Sequence, residues 1–317
     1  MQLVHTAEHT RAYIKIQDGC NQFCSYCVIP FARGRVRSRK PEQVEEEVRS
    51  LADAGYHEIV LTGIHLSSYG LDFHGESYNT TGGQGNEQEL LHLIERIHAV
   101  DGITRIRLGS LEPRVITEAF AGALAALPKV CPHFHLSLQS GCDSVLKRMN
   151  RRYTTEEFAR SVEILRRVYE HPAITTDVIT GFPGETGEEF AQTVAYLEKI
   201  RFFEMHVFPY SRREGTVAAD MPGQLTEKEK KQRSSVLLAM TARHSREYRE
   251  YYIGKEQEVL FEQSHEIEGR QYLTGHTRNY VRVAIPAEGI DPAEMTNQER
   301  ICRLTGFTDD ETLLGAY

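Results

Sequence analysis

From residue 12 to residue 208 the chain alternates six short β-branched or apolar runs with segments of helical periodicity, and this alternation constrains the fold more than any other feature. The strand-like runs cover residues 12–17, 57–62, 105–108, 133–138, 174–179 and 204–208. Between the first two, Pro41 opens a helix that places Val44, Val48, Leu51 and Ala52 on one face, and Gly55 closes it. Further helices are predicted over 87–99, 115–126 and 154–169. Thr154 with Glu157, Thr186 with Glu189 and Thr226 with Glu229 have the spacing of capping boxes. Strands separated by helices pair in parallel through right-handed crossovers, which predicts an α/β barrel or an open doubly wound sheet. Six strands are too few for a closed eight-stranded barrel.

Two stretches depart from the pattern. After Gly63 a polar, Gly-rich segment runs to Asn86, longer than an ordinary connection, and reads as a functional loop; the sequon Asn79-Thr-Thr81 inside it carries no meaning in a cytosolic chain. After Thr226 a long helix runs through about Tyr252 to Gly254, and its polar first turns suggest a connector. From Glu256 onward short alternating runs separated by turn residues predict a small all-β barrel or sandwich. A chain of 317 residues exceeds what one core comfortably holds. The expected division is 1–222 for the α/β unit, 223–254 for the connector and 255–317 for the β unit.

The net charge of -8 argues against wholesale electrostatic capture of nucleic acid, but cations cluster locally in Arg33, Arg35, Arg37, Arg39 and Lys40, in Lys147, Arg148, Arg151 and Arg152, and in Arg212 and Arg213. Apolar residues make up 40% of the chain, and no apolar run is long enough to suggest a membrane span. The first ten residues lack the basic start and apolar centre of a signal peptide, so a cytoplasmic location without membrane attachment is expected.

In that compartment a compact cysteine group points to metal or redox chemistry rather than to a disulfide staple. Cys20, Cys24 and Cys27 fall within eight residues, while Cys131, Cys142 and Cys302 are scattered and read as small buried side chains. Three close thiolates suit a zinc site short of one ligand, or an iron–sulfur cluster with one iron left open. In parallel sheets functional residues gather at the C-terminal strand ends. Here those positions hold Cys20, Gly63, Glu112, Gln139 with Ser140, Gly181 with Glu185, and Tyr210.

The spacing C-x3-C-x2-C, with Tyr26 before the last cysteine, resembles the signature of the radical S-adenosylmethionine (SAM) enzymes. The stretches 62–70, 136–154, 176–185 and 208–216 look like the methylthiotransferase branch of that family, and Gly63-Ile-His-Leu-Ser-Ser-Tyr-Gly70 looks most like the enzymes acting on N6-threonylcarbamoyladenosine in tRNA. The resemblance implies an α/β fold, a radical SAM partial (βα)6 barrel, followed by a small all-β TRAM-like RNA-binding barrel. It implies a 4Fe-4S cluster on Cys20, Cys24 and Cys27, and SAM held by Gly63, Glu112, Gln139, Ser140, Asp177 and Gly181. It further implies methylthio transfer to C2 of the adenine next to the anticodon, with tRNA and an electron donor such as flavodoxin or ferredoxin as partners. Arg33, Arg35, Arg37, Arg39 and Arg152 would then contact tRNA phosphates, and no acid–base pair is expected to dominate. Family members carry an N-terminal domain with three further cysteines for a second 4Fe-4S cluster, and no residue here matches those. The expectation is SAM cleavage and RNA binding without complete sulfur insertion. Alternatives are a methylthiotransferase for another tRNA adenosine or a ribosomal protein, or a noncatalytic RNA-binding remnant.

Overall fold

A computed structural model describes residues 10–74 and 87–317; residues 75–86, with the sequon at 79–81, lie outside the described residues. The first unit is built on β1 (Arg11–Asp18), β2 (Arg37–Ser38), β3 (Glu58–Gly63), β4 (Arg105–Leu108), β5 (His133–His135), β6 (Ala173–Thr180) and β7 (Glu204–Pro209). β1, β3 and β4 pair in parallel, as do β5, β6 and β7, and β2 lies antiparallel on the edge of β1. Bridges Ile106–Val130 and Leu111–Leu136 join the two sheets into one curled, six-stranded partial barrel. The helices α1 (Ile29–Ala32), α2 (Pro41–Asp53), α3 (Glu87–His98), α4 (Glu118–Ala125), α5 (Asp143–Arg148), α6 (Thr155–Val168) and α7 (Gly187–Ile200) fill the crossovers.

Side-chain alternation decides what each face does. Ile14, Ile59, Ile106, Phe134, Ile174 and Met205 face the helices and share one core with Val44, Leu93, Phe120, Phe158 and Leu197. The intervening positions face the concave side and are largely polar: Arg11, Glu58, Arg105, Arg107, His135, Asp177 and His206. The helix expected over 115–126 begins three residues later, because Pro113–Val115 forms a 3-10 turn and Thr117 caps the true start by accepting from Phe120 N. All three capping boxes form.

α8 (Glu227–Glu250) is more than a connector. Leu237 and Met240 enter the main core, and Thr241 Oγ1 accepts a hydrogen bond from Met205 N at 2.8 Å, which ties the helix to β7. Beyond it, β8 (Glu256–Ile267), β9 (Arg270–Thr277), β10 (Arg282–Pro286), β11 (Glu299–Phe307) and β12 (Leu313–Ala316) close a barrel in the order β10-β12-β11-β8-β9 around Val259, Phe261, Leu273, Val283 and Leu304. α9 (Pro292–Met295) sits between β10 and β11. Among the described residues no helix is long and apolar enough to cross a membrane.

The small barrel closes the N-terminal end of the partial barrel through ion pairs. Glu58, with no exposed side-chain surface, accepts from Arg11 Nε at 2.6 Å and from Arg107 Nε at 2.9 Å. Arg11 also pairs with Glu262 of β8. Arg105, fully buried, donates to Glu299 of β11 at 2.6 Å, to Glu258 of β8 at 3.1 Å and to the His276 carbonyl at 2.9 Å. Arg107 donates to the carbonyls of Thr277 and Arg278, and its guanidinium lies 4.7 Å from the centre of the Tyr280 ring. Burial alone would raise the Glu58 carboxyl, but Arg107 and Arg11 outweigh it and hold the group at about 2 against an ordinary 4.5. Its contribution to stability is therefore complete above about pH 4.5 and is lost as pH falls toward 2. Glu58→Gln should lower unfolding free energy by about 3–5 kcal/mol at neutral pH and flatten the acid limb of the stability profile, both read from urea midpoints.

Candidate active site

The cysteine loop is held by backbone and polar contacts from four segments. Gly19 has φ +71°, and a Cβ there would lie 2.0 Å from the Arg35 carbonyl oxygen, so this turn admits glycine alone. The close approach lets Cys20 N donate to Gly34 O at 3.1 Å. Gln17 stands behind it, donating to the carbonyls of Asp18 and Gly19 and accepting from His65 N at 2.8 Å. Phe23 takes φ +51°, with its carbonyl held by Asn150 Nδ2 at 2.8 Å. Ser25 N donates to Met149 O, Ser25 Oγ donates to Arg148 O, and Ala218 N donates to Ser25 O.

Cys20, Cys24 and Cys27 line one cavity of about 140 Å³ together with Glu112, Gln139 and Arg151. None of the three is in a disulfide. Burial pushes the Cys20 thiol up to about 11 and raises Cys27 as well, so neither thiolate is stabilised without a positive partner. Arg151 is one such partner: partly buried among the loops, it donates to Cys24 Sγ at 3.4 Å, to Ser137 O at 3.2 Å and to Tyr153 Oη at 2.9 Å. Glu112, nearly fully buried, accepts from Gln22 Nε2 at 3.4 Å and lies 3.3 Å from Arg114. His65 Nε2 also lines this space, buried and without a hydrogen-bond partner among the described residues, 3.6 Å from Glu112 Oε2. Three free thiols, a partly buried guanidinium and an imidazole nitrogen without a hydrogen-bond partner among the described residues, all around one cavity, fit a thiolate-bound cluster beside a polar ligand. A larger cavity of about 390 Å³, lined by Arg166, His171, Phe203 and Tyr248, lies at the opposite end of β6 and holds none of these groups.

The other sequence candidates occupy varied positions. Ser140 lies outside the cavity lining, where its hydroxyl accepts from Cys142 N and meets Thr193 Oγ1 at 3.3 Å. A Cβ on Gly63 would meet Gln17 Oε1 at 2.9 Å, and one on Gly181 would meet Lys230 Cγ at 2.6 Å, so both glycines make room for the chain itself. Asp177 lies outside the cavity lining, between His135 and His206 and 3.2 Å from each. Burial acts to raise its carboxyl, yet the two imidazoles hold it well below the carboxylate range. Arg33, Arg35, Arg37 and Arg152 are exposed, with Arg37 3.4 Å from Asp18 and Arg35 lying over the Phe23 ring. Arg39 is partly covered and paired with Glu47. Arg151, His65 and Gln17 were not among the residues singled out; Arg151 sits in a basic run that reads as surface charge, and only the adjoining Tyr153 hints that the chain turns inward there.

The profile of the Radical SAM superfamily matches residues 14–197, and the chain belongs to that superfamily. Among relatives, the threonylcarbamoyladenosine tRNA methylthiotransferase MtaB of Bacillus subtilis (strain 168) is 43% identical over 87% of this chain and 59% of its own length. The MtaB of Chlamydia pneumoniae is 36% identical over 98% and 69%, and the tRNA-2-methylthio-N(6)-dimethylallyladenosine synthase of Pelotomaculum thermopropionicum is 38% identical over 96% and 66%. The chain thus spans less than two thirds of the Bacillus relative. The radical SAM enzyme coproporphyrinogen III oxidase of Escherichia coli shares the fold at TM-score 0.54 and 16% identity, covering 76% of this chain and 54% of that one.

The Gly19 turn yields a paired expectation. Gly19→Ala should cost about 2–5 kcal/mol, the left-handed strain plus displacement of the Arg35 carbonyl. Gly215→Ala, with φ +79° but open space around it, should cost only about 1–2 kcal/mol. Denaturant midpoints of the two variants compare them directly.

Proposed function

We propose that this chain holds a 4Fe-4S cluster on Cys20, Cys24 and Cys27, cleaves SAM there, and forms the SAM-cleaving and tRNA-binding part of an enzyme that adds a methylthio group to C2 of N6-threonylcarbamoyladenosine. The observation that carries this reading is the single cavity shared by three free thiols, Arg151, Glu112 and Gln139 at the C-terminal mouth of the partial barrel. When bound, such a cluster supplies the electron that splits SAM reductively. The chain's own residues have the tasks of binding, orientation and exclusion of water. Arg151 offsets the charge of the thiolates and fixes Cys24, while Glu112, Gln139 and His65 offer acceptors and donors to the polar parts of SAM. Gly63, Ser140 and Gly181 shape the surrounding turns. Asp177, beside the cavity rather than in its lining, supports the adjoining Gln139 through its backbone carbonyl.

For the substrate, the support is the 43% identity to relatives named for threonylcarbamoyladenosine and the loop from Gly63 to Gly70 that carries His65. Exposed Arg33, Arg35, Arg37 and Arg152 would meet phosphates, Arg39 would serve mainly to hold the loop through Glu47, and the C-terminal barrel would grip tRNA by backbone and shape. A cytoplasmic location and an external electron donor such as flavodoxin or ferredoxin complete the proposal.

After anaerobic reconstitution, about four irons per chain are expected, with SAM-dependent release of 5′-deoxyadenosine under reduction and loss of both in Cys24→Ala. Zinc in place of iron overturns the reading. The triple variant Arg33→Ala, Arg35→Ala, Arg37→Ala should weaken tRNA binding and lower its salt slope by about 0.7–0.9 for each phosphate contact removed. An unchanged slope removes these arginines from the interface. Nucleoside mass spectrometry of tRNA from a deletion strain should show threonylcarbamoyladenosine without its methylthio group. Loss from the dimethylallyl nucleoside instead would transfer the assignment to that substrate.

A further inference from the structure

Beside the cysteine cavity the concave face carries a second set of convergent donors, none of them in the lining of that cavity. Asp177 on β6 and His206 on β7 are register partners, and His135 on β5 stands opposite Thr175, one concave position before Asp177. Ser137, the next concave residue after His135, lines the cysteine cavity, and Asp177 O accepts from Gln139 N of the same lining, so the trio borders that cavity without any of its three side chains lining it. His135 Nε2 is 3.2 Å from Asp177 Oδ2 and His206 Nδ1 is 3.2 Å from Asp177 Oδ1; the three ligand atoms lie within 4.8 Å of one another. The two imidazoles stack with centroids 5.5 Å apart.

We propose that His135, Asp177 and His206 form a binding site for a divalent transition-metal ion, distinct from the cysteine cluster and open toward the concave face. The spacing suits it: two donors, each about 2.0–2.1 Å from one ion at a near-tetrahedral angle, lie about 3.2–3.4 Å from each other. The donor set, two imidazoles and one carboxylate, is that of open zinc and ferrous sites, in which water or ligand takes the remaining positions. A supporting shell is present, since Thr175 Oγ1 lies 3.0 Å from His135 Nδ1 and orients that ring with Nε2 toward Asp177. Glu204, the next concave residue on β7, is paired with Arg249 at 2.8 Å, and no arginine or lysine is paired with Asp177 among the described residues. His206 is 55% exposed at its side chain, which leaves the outer face of an ion reachable from solvent. The site does not depend on the substrate or on SAM chemistry.

The test uses the reconstituted full chain. After equilibration with a slight excess of zinc and desalting, plasma mass spectrometry should find one zinc per chain beside the iron. His206→Ala and Asp177→Asn should keep the same iron content and far-ultraviolet circular dichroism but bind zinc at least about tenfold more weakly in competition with a chromogenic chelator. Absence of zinc from the wild-type chain, or equal retention in both variants, overturns the proposal and leaves a carboxylate hydrogen-bonded by two imidazoles.

Discussion

Glu58 and the three arginines around it decide how the molecule is put together. A six-stranded sheet curls without closing, and its concave face at the N-terminal end presents Arg11, Arg105 and Arg107. Buried guanidinium groups are costly unless each finds anions or carbonyls. One carboxylate within the sheet, Glu58, satisfies part of that demand; the rest comes from Glu258, Glu262 and Glu299 and from backbone carbonyls of the C-terminal barrel. The small barrel is therefore the floor of the larger one. Its position follows from charge pairing, while Tyr248 and Tyr252 of the α8 region, with Phe203, add an apolar contact beside it.

With the floor fixed, the opposite rim is free to carry loops, and there the stabilisation is of another kind. The cysteine loop owes its path to hydrogen bonds donated by Asn150 and Gln17 and accepted by the Met149 carbonyl, and to the absence of a side chain at Gly19. Its apolar support is a separate small cluster of Cys142, Val145, Met149, Phe182 and Tyr210, with Tyr26 packed edge-on to Phe182. The aromatic residue between the last two cysteines thus anchors the loop to the turn after β6. Rigid loops on a rigid rim hold ligand groups in place with little reorganisation.

The order of strands and helices was legible because apolar residues recur with periods of two and near four, and the capping boxes marked three helix starts to the residue. The three cysteines were legible from spacing alone. What could not be read was which face of each strand meets water. In Arg105-Ile-Arg-Leu108 the alternation is clear, but arginine on the polar side signals solvent in most sheets, whereas here both guanidinium groups are buried. For the same reason the basic run at 147–152 read as one patch, although Arg148 pairs with Glu189, Arg151 turns into the cavity and Arg152 alone of these three is exposed. α8 looked like a linker because its buried stripe includes Lys230, Ser234 and His244, whose burial depends on partners far away in sequence. β12, Leu-Leu-Gly-Ala, has no alternation of its own to read, because its four residues make a strand only by bridging β10 and β11.

The unclosed seam between β1 and β7 has its own consequence. A complete barrel is a well with one opening, and its bore sets an upper limit on whatever reaches the interior. Here β2 covers the edge of β1 near its C-terminal end and, among the described residues, no strand joins β1 to β7; Tyr13 on one side of this gap and His206 and Phe208 on the other are all more than half exposed. A wall left open on one side does not limit approach to the concave face by its bore alone.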